Sequence, residues 1–143
     1  MEKITREQFV DCLNRQWQAL VGRFQRLSVQ EQAAYLKQQG YATFGSLLGH
    51  IIAWWQDGAQ VVEAMRADAA MALPDYNVDE FNARAVARFG LLDEAEVLNE
   101  YEAQRKMMLR LVNDLSDAEL QRGNINKRLY YEIIMHWSEH MLE

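Results

Sequence analysis

The chain has 143 residues, half of them hydrophobic and a quarter charged, with a formal net charge of −6 and a pI near 5.1. That is enough apolar material for one domain with a buried core, and it argues against disorder over most of the length. An acidic surface repels phosphate, which makes nucleic acid and anionic membrane poor partners.

One cysteine, Cys12, rules out an intrachain disulfide and fits a reducing compartment. "MEKITREQFV" has no apolar leader core, and the longest apolar run, "LLGHIIAWW", is too short to span a bilayer. A cytoplasmic protein spanning 1–143 as a single domain is expected. The basic stretch "NKRLYY", residues 126 to 131, carries too few charges for a nucleic-acid patch.

Thr5 with Gln8 three residues on predicts a capped helix start. Phe9, Leu13, Trp17, Leu20, Phe24 and Leu27 then repeat at steps of three and four, one apolar stripe on a long first helix. Ser28 and Glu31 form a second capping box, opening a short helix that Gly40 closes. A long helix follows from about Thr43 to Ala70, with Leu47, Ile51, Trp54, Gly58, Val61 and Met65 at the centre of a broad apolar arc.

Residues 71 to 92 make the next connection. Pro74 and Asp75 signal a turn, and Asn77 or Asp79 could cap a short helix ending near Gly90. So long a connection reads as a crossover that lets the second and third long helices run parallel. The third spans about Asp93 to Leu115, with Val97, Tyr101, Gln104, Met108, Leu111 and Leu115 on one stripe. Ser116 and Glu119 begin another capped turn, "RGNIN" breaks it, and the last helix starts near Asn126. No alternating strand pattern occurs. The pattern predicts an all-α four-helix bundle with a long crossover between helices 2 and 3.

The chemistry-bearing feature is "HWSEH", residues 136 to 140. His136 and His140 lie one helical turn apart, close enough for both imidazoles to reach one ion. His50 is the only other histidine. All three sit at the edge of an apolar arc, facing seams between helices where bundles build metal sites. Ordinary hydrogen-bonded boundary histidines are the competing reading.

"LLGHIIAWW", the crossover and the closing H-x-x-x-H together resemble the DinB/YfiT-like superfamily over nearly the whole chain. The resemblance implies a four-helix bundle, often a homodimer. It also implies a divalent ion, commonly zinc or nickel, held by three histidines, here His50, His136 and His140. Some members of that superfamily transfer or isomerise with low-molecular-weight thiols, and a small-molecule substrate is the corresponding expectation here. Three histidines would leave open coordination on the ion, able to activate either a thiol or water.

Around this centre, Glu132, Glu139 and Asp57 are candidates to orient an imidazole or act as a base, or else belong to a solvated acidic face. Trp54, Tyr101, Gln104 and Trp137 could line a pocket; helical spacing equally suits the three aromatics to the core. Gln104 interrupts an apolar stripe and needs a hydrogen-bond partner. Cys12 lacks a charged partner and is not cast as a nucleophile.

Overall fold

The computed structural model describes residues 2–143. Among these residues there is no strand, and the chain is all-α as its periodicity predicts. Helix α1 covers residues 6–26, and α2 is Val29–Gln39. Next come α3, Phe44–Ala67, α4, Val78–Phe89, and α5, Glu94–Asp114. Asp117–Gln121 forms the short α6, and α7 covers residues 123–140.

The helix starts follow side-chain chemistry. Thr5, Ser28 and Ser116 each close a full capping box, with Gln8, Glu31 and Glu119 returning the hydrogen bond. Thr43, Asn77 and Asp93 cap α3, α4 and α5 with single acceptors. Of the two expected caps for α4, Asn77 is the one used. Gly40 ends α2 in the left-handed conformation, at φ 83°, where a Cβ would be strained.

Two boundaries differ from expectation. α3 stops at Ala67 because Asp68 leaves helical geometry and its carboxylate accepts the Ala70 N–H. α7 begins at Gly123, three residues early. Asn124 and Asn126, read as breakers, bond side chain to backbone while staying helical. Asn124 reaches the Met71 carbonyl, and the buried Asn126 amide pairs with both backbone groups of Ile4.

The long helices α1, α3, α5 and α7 form the bundle. Tyr101 donates its hydroxyl proton to the Trp17 carbonyl, and Arg6 bonds the Val112 carbonyl, so α5 runs antiparallel to α1. Asn126 meets Ile4 while Arg23 reaches the Leu142 carbonyl, so α7 runs parallel to α1. The crossover carries the chain back along α3. Phe89, at the end of α4, packs against Gly49 near the start of α3, and α5 therefore runs parallel to α3 as expected.

Two stretches widen to π-helical turns, Cys12–Trp17 in α1 and Tyr130–Met135 in α7. They face each other across the core. A π turn disturbs the regular carbonyl ladder, and side-chain donors fill in. The Ile133 carbonyl accepts from Trp17 Nε1 at 2.9 Å, and the Glu132 carbonyl accepts from Trp55 Nε1 at 3.0 Å. Both indoles are fully buried and meet edge to face at 4.9 Å. The second π turn ends where His136 begins, so these bonds set the rotation of the last helical turn.

No described helix is long and apolar enough to cross a membrane.

Candidate metal centre

His50 stands on α3, and His136 and His140 on the last turns of the antiparallel α7. This packing brings together residues separated by 86 and 90 positions. All three are at least 94 % shielded from solvent, with exposures of 6, 5 and 6 %. His50 Nε2 lies 3.1 Å from His140 Nε2 and 3.2 Å from His136 Nε2. Burial pushes all three pKa values down, His50 to about 4 and His140 to about 3, with His136 well below its ordinary range. Each imidazole is neutral at pH 7.

The outer ring nitrogens are held by carboxamides from outside the four-helix core. His50 Nδ1 donates to Asn82 Oδ1 on α4 at 3.0 Å, and His140 Nδ1 donates to Gln39 Oε1 on α2 at 2.6 Å. An oxygen can only accept, so both Nδ1 atoms carry the proton and both Nε2 atoms present lone pairs. His136 Nδ1 has no well-formed hydrogen bond; the Glu132 carbonyl one turn earlier interacts with it weakly.

Neutral lone pairs facing each other at 3.1 Å repel unless a cation lies between them. Two nitrogens bound about 2.0–2.1 Å from one ion lie about 3 Å apart, which this spacing matches. The three donor atoms lie within 4.8 Å of one another, and imidazole suits zinc and nickel. The set could hold a divalent ion.

Beside the histidines opens a cavity of about 360 Å3. His50, His136, Asn82, Arg128 and Glu132 line it together with Trp54, Leu73, Pro74, Tyr76, Val78, Tyr131, Met135 and Glu139. Most of this wall is apolar, and the crossover supplies a large share of it. Trp54 is braced by Phe81, stacked behind it at 3.9 Å.

Glu132 is buried at the back of the cavity, and burial raises its pKa to about 8 despite Arg128 Nη2 at 3.2 Å. Arg128 is also claimed by Asp57 at 2.9 Å and by the Tyr76 hydroxyl at 2.7 Å, which weakens its hold on Glu132. Glu139 is exposed at the mouth, its pKa raised by partial burial. Asp57 does not line this cavity and serves as the anchor of Arg128 and Tyr76.

Of the four residues considered for a pocket, Trp54 lines the cavity. Tyr101, Gln104 and Trp137 lie in the core away from it. Tyr101 supports the π turn of α1, and Trp137 packs edge to face on Trp17 at 5.0 Å. Gln104 is 3 % exposed, and its Nε2 has no hydrogen-bond partner. Cys12 is buried with its thiol directed at the Ile133 carbonyl, and burial pushes its pKa to about 12, which keeps it protonated.

Sequence reading passed over Asn82, Gln39, Tyr76 and Arg128. None of them left a trace that periodicity could read: Asn82 directly follows Phe81 on α4, about 100° around the helix from it. Arg128 looked like part of a weak surface patch and is instead 4 % exposed.

Fold and site together define an up-down-down-up helical bundle with a buried three-histidine centre at the seam of two antiparallel helices. The DinB superfamily model matches residues 13–142, and the chain belongs to that superfamily. No curated protein and no solved structure matches it.

Proposed function

We propose that this chain is a divalent-metal-dependent enzyme in which His50, His136 and His140 hold one zinc or nickel ion beside a pocket for a small, uncharged electrophile. A thiol or a water molecule is the attacking partner. The observation that carries this reading is the convergence of three neutral imidazoles beside a largely apolar cavity that His50 and His136 line. Such an ion, when bound, supplies positive charge that favours the deprotonated form of a thiol or water at neutral pH.

The remaining roles fall to the chain itself. Trp54, Leu73, Pro74 and Met135 exclude water and favour an apolar substrate. Arg128, the one cation of the wall, is committed to Asp57 and Glu132, so an anionic substrate finds no free partner there. Glu132 keeps its proton at pH 7 and faces the cavity, placed to give that proton to a leaving group. Glu139, at the mouth, can receive the proton released by the nucleophile. A homodimer, expected from family membership, belongs to this reading and is tested by light scattering at two concentrations.

The deciding experiment is elemental analysis of dialysed wild type beside His136→Ala, followed by turnover of 2-mercaptoethanol with an uncharged aryl halide. About one ion per chain, absent from the variant, and metal-dependent product beyond one equivalent support the proposal. Metal bound with product stopping at one equivalent would indicate a sequestering protein instead. Absence of bound metal after adding zinc and nickel would remove the proposal altogether.

A further inference from the structure

Asn82 occupies an unusual place: it stands on the crossover helix, outside the four-helix core, yet it touches the centre. Its Oδ1 takes two donors at once, His50 Nδ1 at 3.0 Å and Trp54 Nε1 at 2.8 Å. The second bond decides the first. An indole N–H can only donate, so the atom facing it must be the amide oxygen and not the NH2. With that oxygen fixed, His50 Nδ1 must carry the ring proton, and its Nε2 is left as a lone pair aimed at His136 and His140.

We infer that Trp54 and Asn82 form a positioning pair that locks the His50 tautomer and so prepares the centre for metal. This rests on the metal-binding reading above and adds a claim about residues that reading does not need. Without Trp54 the carboxamide could rotate and offer its NH2 to His50. The imidazole would then turn its protonated nitrogen toward the centre and cease to be a ligand. Trp54 on α3 and Asn82 on the crossover helix both line the cavity, so the pair that sets the His50 tautomer also shapes the pocket.

A carboxylate has no donor face, which supplies the test. Zinc affinity is measured by competition with a chromophoric chelator for wild type, Asn82→Ala, Asn82→Asp, Trp54→Phe and the N82D/W54F double variant. Melting of the metal-free forms is followed in parallel. Removing such an outer partner typically costs roughly 10–100-fold in metal affinity. N82A is expected to lose affinity in that range, and N82D to bind at least as tightly as wild type. W54F should weaken binding in the wild-type background but not in the N82D background, because a carboxylate cannot be turned the wrong way. An equal loss from W54F in both backgrounds would overturn the lock, as would a folded N82A with wild-type affinity. Should N82A fail to fold, the W54F comparison still decides. Wild type that holds no zinc at all would refute the metal reading itself, a separate outcome.

Discussion

His50 Nε2 and His140 Nε2 face each other at 3.1 Å, each with its proton committed to an amide oxygen on the far side of the ring. Folding alone thus brings together lone pairs that have no reason to meet, on helices the crossover has forced to run antiparallel. A cation that binds only this arrangement stabilises it. Zinc or nickel at one hundred times its dissociation constant should raise stability by about 2.7 kcal/mol, read as a higher Tm. Chelator should reverse the rise, and His136→Ala should abolish it. A Tm indifferent to both metals would mean that the three rings are packing groups.

Glu132 offers a pH test independent of metal. In the folded chain it releases its proton near pH 8, against an ordinary value of 4.5. Between those values the folded state holds the extra proton, so this group's contribution to stability is full below pH 4.5 and falls as pH rises through 8. Glu132→Gln cannot ionise and escapes the loss. Relative to wild type it should gain on the order of a few kcal/mol between pH 5 and pH 9, measured by urea unfolding at both. If the variant is instead the less stable at pH 9, the Arg128 ion pair outweighs burial.

What the sequence made legible is what repeats or caps. The stripe from Phe9 to Leu27, the Thr5, Ser28 and Ser116 boxes and the crossover length are local signals, and each appears in the structure where expected. The histidine cluster was legible because two histidines lie one turn apart, and the resemblance pointed to His50 as the third. Asn82 and Gln39 were not legible, because a side chain's partner on another helix depends on rotation about two axes that periodicity does not fix. The π turns were hidden for a related reason. Each shifts the helical register partway along an otherwise regular stripe, and tertiary donors such as Trp17 and Tyr101 hold it in place. Trp137, considered for a pocket, follows the second π turn and packs on Trp17, while Tyr101 lies in the core on the regular helix α5, stacked against Trp55.

Trp17 ties those two turns together. Its indole bonds the Ile133 carbonyl and lies edge-on to Trp55, to Trp137 and, at 5.6 Å, to His136. Trp17→Phe keeps most of the apolar contact but leaves the buried Ile133 carbonyl with only the weak Cys12 thiol as a side-chain donor, at a cost of about 1 kcal/mol. Because that carbonyl lies three residues before His136, the variant should also weaken zinc binding. Chemical denaturation and chelator competition test the two effects separately. Lost stability with unchanged zinc affinity would show that the π turn does not set the histidine's position.

The seat of the crossover rests on one glycine. A Cβ built on Gly49 would lie 2.5 Å from Phe89 Cβ and 2.7 Å from its Cγ, closer than packed carbons approach. Neither side can yield easily, since Phe89 is 2 % exposed and Gly49 is enclosed within α3. Gly49→Ala therefore has to push the end of α4 outward, although alanine is the better helix former. The overpacking cost of about 1–3 kcal/mol should outweigh a propensity gain of about 1 kcal/mol, leaving a net loss. The displacement would act on the helix that carries Asn82, and so on the hydrogen bond between Asn82 and His50, the residue next to Gly49. Lower Tm with weaker zinc binding is the expected pair of results. An unchanged or higher Tm in the single variant would mean that α4 is free to move off α3 at no cost.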